Sequence, residues 1–235
     1  MAPATSPLQA APKSTPPPPA DPGARLGASG YAVSALAGAG YLALIAPGVY
    51  WRDAGELAAS AFGLGVAHPT GFSLYIVLAK AASLLPFGHI GFRINLLSGV
   101  LGAISALLVF ELVWRLARHA GRRVDTGLIA CATAAGALFA VTGACWEQSI
   151  RAEVYALNSA IVLGGLWFAV RWLEDQRTLW LLGFSVLFGL GLGNHHYLVF
   201  FMLPAPLAIL AMHPAGRRWA AFSVASNSWQ VRAGL

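Results

Sequence analysis

The sequence predicts an all-α fold: a polytopic membrane bundle of about six transmembrane helices, with amphipathic helices in its first outer loop. Three observations carry that prediction. Of 235 residues, 57% are apolar and only 10% are charged, where soluble domains carry about 25% charged residues. Mean hydropathy is +0.66. Apolar segments recur at lengths near the ~20 residues that a bilayer requires, and no polar stretch between them is long enough for an aqueous domain. Soluble enzymes and DNA-binding modules are thereby excluded. Cys131 and Cys145 share one apolar region without metal-ligand spacing, so they read as packing residues.

The ends differ from the middle. Residues 1–29 hold eight prolines, Pro16 to Pro19 among them, and almost no large apolar side chain, so they read as a disordered cytoplasmic tail. The first apolar run starts only near Tyr31, too late for a cleaved leader, and reads as a retained span. Residues 30–213 form the transmembrane domain. Residues 214–235 lack a sustained apolar run and read as a second cytoplasmic tail or the scar of a truncated frame.

The segments run from Tyr31 to Val49, Phe72 to Leu85, Ile94 to Trp114, Thr126 to Ala144, Val154 to Trp172, Leu179 to Gly193 and Tyr197 to Met212. Charge sorts them into crossings. All but two of the 15 basic residues are arginines, the exceptions being Lys13 and Lys80, and they cluster at Arg115 to Arg123, at Arg171 and Arg177, and at Arg217 and Arg218. If Phe72 to Leu85 lies along the outer face, these clusters and the N-terminal tail share the cytoplasmic side, as the positive-inside rule asks. The net charge of +6 is therefore a topology signal, and no nucleic-acid partner is expected. The same count makes Leu179 to Met212 two short helices that meet at Asn194-His195-His196, loosened by Gly189, Gly191, Gly193, Pro204 and Pro206.

The remaining polar residues gather outside: Asp53, Glu56, His68, Arg93, Glu147, Arg151, Glu153, His195 and His196. Leu57, Ala61 and Leu64 give the segment after Asp53 an amphipathic helical face. Asp53 and Glu56, three apart, share one side of it, where a carboxylate pair holds a general base or a divalent cation. The same Asp-x-x-Glu pattern also caps helices. His68 is held extended by Pro69. Glu147 and Arg151 have i, i+4 spacing, and Glu153 stands at the mouth of a span, where an unpaired charge is costly.

Read in order, Asp53-Ala-Gly-Glu56, His68-Pro-Thr-Gly71, Arg93-Ile-Asn95-Leu-Leu-Ser98, Glu153-Val-Tyr155 and Gly189-Leu-Gly191-Leu-Gly-Asn-His195 resemble a widespread family of membrane proteins long filed under a domain of unknown function. That family includes a eukaryotic transmembrane protein O-mannosyltransferase and is similar to the GT-C superfamily of lipid-dependent glycosyltransferases. The resemblance runs from about Tyr31 to Met212. It departs from the family's usual pattern at Thr70, where a second proline is common, and in stopping after about six spans.

The resemblance implies a GT-C-like domain at residues 30–213, partial in this chain, and a glycosyltransferase that moves a sugar such as mannose from a polyprenyl-phosphate donor to a hydroxyl of an exported protein or glycan. Asp53 and Glu56 are then the catalytic pair. His68, Arg93, Arg151, Glu153, His195 and His196 are the candidate substrate-binding residues. No cofactor is firmly implied, and the acidic pair leaves a divalent metal open. The partners are the lipid-linked donor, the exported acceptor and the bilayer, with the chain in a bacterial inner membrane, its N-terminus cytoplasmic and its active face outside. The competing expectations are a multi-pass transporter or lipid-sugar flippase, and an inactive truncated fragment.

Overall fold

The computed structural model describes residues 22–200 and 202–212. Every regular element among them is helical: α1 (Pro22–Leu44), α2 (Ala54–Gly63), α3 (Ser73–Ser83), α4 (Ile90–His119), α5 (Thr126–Val141), α6 (Gly143–Ser149), α7 (Val154–Asp175), α8 (Thr178–Phe200) and α9 (Pro204–Met212). The sequence readings at residues 1–21 and 213–235 lie outside the described residues.

The longest helix, α4, is the axis of the bundle. Its 30 residues span about 45 Å, and α1, α5 and α7 pack along it. Small residues permit the close approach. A Cβ on Gly136 would stand 2.9 Å from the Ala106 carbonyl oxygen, and one on Gly30 would stand 2.8 Å from the Phe110 ring. At the end of α4 away from the first loop, Arg115 pairs with Glu111 (2.8 Å) and Glu174 (2.7 Å), and Arg171 pairs with Glu174 at 3.3 Å. Arg115 therefore cross-links α4 to α7, and Arg171 joins the same carboxylate from within α7, in addition to any topology signal.

Three helices, α4, α7 and α8, are long and apolar enough to cross a membrane, and the pair α5 and α6, bent by 63°, makes a fourth candidate. The six expected crossings are thus not reached by length and composition among the described residues. The shortfall lies in two places. Rich in Gly and Ala, α1 has a span's length without matching the others' hydropathy, and it begins at Pro22, eight residues before the expected domain edge, because Leu26 is buried against Phe110, Trp114 and Ala132. The second place is α8, which is not one straight rod.

Residue His195 interrupts α8 with non-helical angles, φ −134° and ψ 82°. Beyond it the chain turns back: the rings of Phe188 and Phe200 lie 5.9 Å apart, whereas twelve residues of straight helix would separate them by about 18 Å. Gly191 faces Val199, and Met202 packs on Gly165. The expected meeting of two legs at Asn194-His195-His196 is therefore seen. The 11-residue α3, about 16 Å long, is too short to cross and packs on α2, α4 and α8.

Candidate active site

The loops after α1 and before α7 are brought together by α4. Near its start, the Asn95 side-chain amide donates to the carbonyls of Ala46 (2.8 Å) and Gly48 (2.9 Å), while its oxygen accepts from the Ala152 N–H at 2.7 Å. Ser98 accepts from the Glu153 N–H at 3.4 Å. Gly91 lets the backbone of Gly48 and Val49 approach so closely that a Cβ there would stand 2.6 Å from it. The Arg-x-Asn-Leu-x-Ser segment is thus a clasp that sets one acidic loop against the other.

On the first loop, Asp53 occupies the N-cap position of α2 but its side chain makes no capping hydrogen bond. Of the two meanings of Asp-x-x-Glu, the capping one does not account for this exposed carboxylate. Glu56 is engaged elsewhere. It accepts the His68 backbone N–H at 2.6 Å through Oε1 and meets the ring Nδ1 at 2.9 Å through Oε2. These hydrogen bonds hold its carboxyl below the usual glutamate range. Gly71, at φ +85°, donates its N–H to the His68 carbonyl at 2.8 Å and turns the chain from the His-Pro segment towards α3.

On the second loop, Glu153 and Arg151 are both 3% exposed and paired at 3.3 Å. Burial pushes the Glu153 carboxyl up, Arg151 opposes that, and the charges of Asp53, Arg52 and His68 are close enough to act on it. The expected Glu147–Arg151 helical pair does not form, because α6 ends at Ser149 and Arg151 turns to Glu153 instead. Trp51 carries both neighbouring cations, Arg52 at 4.4 Å and Arg151 at 5.9 Å from its ring centre. Tyr75, fully buried, lies beside Ser98 and Glu153.

The hairpin tip closes the third side. The Asn194 amide donates to the Val154 carbonyl at 3.1 Å, one residue past Glu153. The His195 ring lies 5.8 Å from Phe72 and 5.5 Å from Tyr155, and Phe72 in turn lies 5.1 Å from His68. His195 Nδ1 is buried without a hydrogen-bond partner among the described residues.

Asp53, Glu56, His68, Arg151, Glu153 and His195 therefore converge, from four separate stretches of sequence. Two candidates do not join them. Arg93 donates to the carbonyls of Ser83 (2.6 Å) and Gly88 (2.9 Å), tying off the α3–α4 turn. The His196 ring lies against that of Tyr197, tilted by 46° with ring centres 3.9 Å apart. Sequence reasoning passed over Trp51, Arg52, Asn95 and Tyr75 as site residues; of these, the Arg93 to Ser98 motif signalled Asn95. Among the described residues, no three His, Cys, Asp or Glu side chains are grouped to hold a metal ion.

A family model described as the protein O-mannosyl-transferase TMEM260 N-terminal domain matches residues 53–219, beginning at Asp53. This chain belongs to that family. Within the TMEM260 N-terminal domain family, a protein O-mannosyl-transferase TMEM260 of Mus musculus is 37% identical over 159 residues, covering 64% of this chain and 21% of that protein. The Dictyostelium discoideum protein O-mannosyl-transferase tmem260 is 26% identical over 191 residues, covering 74% of this chain and 22% of that protein. This chain thus spans about a fifth of the length of these relatives. No solved structure matches it. Both relatives are eukaryotic, so the bacterial inner membrane expected from sequence finds no support in them. With its apolar helices, the chain is a helical membrane protein.

Proposed function

We propose that this chain forms the membrane-embedded catalytic part of a glycosyltransferase that moves mannose from a polyprenyl-phosphate donor to a Ser or Thr hydroxyl of an exported protein. The observation that carries the reading is Asp53: an uncapped, exposed carboxylate beside the buried Arg151–Glu153 pair, in a chain whose relatives are named protein O-mannosyl-transferases.

In the proposed reaction Asp53 takes the acceptor's hydroxyl proton as the oxygen bonds to the sugar C1, and the C1–O bond to phosphate breaks with its electron pair leaving on the phosphate. Arg151 Nε and His195 Nδ1, both without partners among the described residues, face the departing charge. Glu153 anchors Arg151. A cavity of about 360 Å³ between α4, α5, α6 and α7, lined by Gly102, Phe139, Cys145, Gln148 and Tyr155 among others, offers an apolar course for the lipid. The site lies at the ends of α4 and α7 opposite Arg115 and Arg171, which supports an active face on the non-cytoplasmic side.

The test is transfer from labelled polyprenyl-phosphate mannose to a Ser/Thr peptide in membranes carrying the protein. Asp53→Asn abolishes transfer while expression and membrane insertion stay unchanged. Transfer that survives this substitution overturns the base assignment.

A further inference from the structure

We propose that Tyr75 is a positioning residue, a stand-by partner for Glu153: its hydroxyl meets the Glu153 carboxyl when a bound phosphate draws Arg151 off its resting anchor. The Tyr75 ring is fully buried in the apolar cluster where Leu57 of α2, Ile94 of α4 and Val154 and Leu157 of α7 meet. Its hydroxyl nevertheless makes no hydrogen bond among the described residues. A buried hydroxyl without a partner is costly, and phenylalanine would fill the same space without that cost. The hydroxyl lies beside Ser98 and Glu153, where the Ser98 oxygen already accepts the Glu153 N–H at 3.4 Å.

The resting ion pair is loose. Arg151 reaches Glu153 through Nη2 at 3.3 Å, longer than the ~2.7–2.9 Å of a charge-assisted hydrogen bond, and its Nε has no partner among the described residues. A carboxyl as buried as Glu153 cannot lose its cation without a replacement. The other charges that act on it come from the first loop, and none is free to serve. Asp53 has the same sign, Arg52 lies over Trp51 at 4.4 Å, and His68 is held by Glu56 at 2.9 Å. That leaves the Tyr75 hydroxyl, which is unengaged at rest. A phenol suits either state of Glu153, since it donates to a carboxylate and accepts from a protonated carboxyl. An ordinary structural hydroxyl serving Ser98 would instead matter equally whether or not Arg151 is present.

The inference rests on the transferase reading for the phosphate that draws Arg151 away, but the stand-by hydrogen bond is measured without transfer, so the two fail separately. The experiment is a double-mutant cycle in thermal unfolding of the full chain in detergent at neutral pH. Tyr75→Phe alone leaves the midpoint unchanged or raises it. In the Arg151→Met background the same substitution lowers it by about 3 °C or more, the scale of one lost hydrogen bond in a chain of this length. Arg151→Gln, a milder change, serves as the background should the methionine variant not fold. In membranes with polyprenyl-phosphate mannose, Tyr75→Phe lowers kcat about tenfold and leaves KM nearly unchanged, because the exchange at Arg151 accompanies departure of the phosphate. Equal destabilisation in both backgrounds assigns the hydroxyl to Ser98 and overturns the proposal, as does no effect in either or a raised KM at unchanged kcat. Absence of transfer in every form, with the cycle's change of sign intact, counts against the transferase reading and leaves the stand-by bond in place.

Discussion

Glu56 grips His68 twice, through the backbone N–H at 2.6 Å and through ring Nδ1 at 2.9 Å. One carboxylate thus fixes both the course of the His-Pro turn and the orientation of the imidazole, leaving Nε2 as the ring's outward atom. Glu56 belongs to His68 more than to Asp53, and the two acidic residues of the first motif have different tasks.

The grip depends on pH. His68 lowers the Glu56 carboxyl below its ordinary value, so the tie is complete above the ordinary glutamate range and is lost as pH falls through the lowered value. Hydrogen exchange over residues 65–72, corrected for intrinsic rate, should show protection that disappears on acidification. In Glu56→Gln the protection should be weaker and independent of pH in that range.

Glu153 has the opposite sign. Burial raises its carboxyl, with Arg151 opposing, so its contribution to stability is full below the ordinary carboxylate range and declines as pH rises through the raised folded value. Thermal unfolding in detergent from acid to neutral pH should show this decline. Glu153→Gln, which can still accept from Arg151, should flatten it; a slope that persists in the variant would remove Glu153 as its cause.

Gly91 is where the first loop leans on α4. An added Cβ would stand 2.6 Å from the Gly48 and Val49 backbone, which cannot swing aside as a side chain does. Gly91→Ala should cost about 1–3 kcal/mol of stability and lower transferase activity by displacing the loop that carries Asp53. Gly189 supplies the control: no atom lies within 4 Å of a Cβ there, and Gly189→Ala should be neutral or stabilise by up to ~1 kcal/mol.

The reversal at His195 can be tested by cross-linking. With Cys131 and Cys145 replaced by Ser, Gly191→Cys together with Val199→Cys should bridge readily, since a Cβ at Gly191 would stand 2.7 Å from a Val199 methyl carbon. A continuous helix would hold the two positions about 12 Å apart, beyond any disulfide.

Much of this was legible in the sequence because it depends on local composition. The apolar runs marked the helices, and the length of Phe72 to Leu85 kept α3 from being a span. The Gly-rich stretch before Asn194-His195 announced a break, since a thinned helix with polar residues at its end is unstable as a continuous rod. The start of α1 was misjudged because Leu26 is one apolar residue in a polar tail, and only its burial against Phe110 and Trp114 extends the helix to Pro22.

The site was legible as a list and not as an arrangement. Sequence alone picked out Asp53, Glu56, His68, Arg93, Glu147, Arg151, Glu153, His195 and His196 as the charged or titratable residues that membrane topology leaves unexplained. Tertiary structure decided that Glu56 orients His68, that Arg151 pairs with Glu153 rather than Glu147, and that Arg93 ties off the α3–α4 turn. The physical reason is range. Helix formation and membrane insertion follow from neighbours within a few residues, whereas the partner of a buried charge is whichever group the packing of distant helices brings within hydrogen-bonding distance. Here that packing is set by Gly91 and Asn95, whose part in it shows only once the loops they hold are seen.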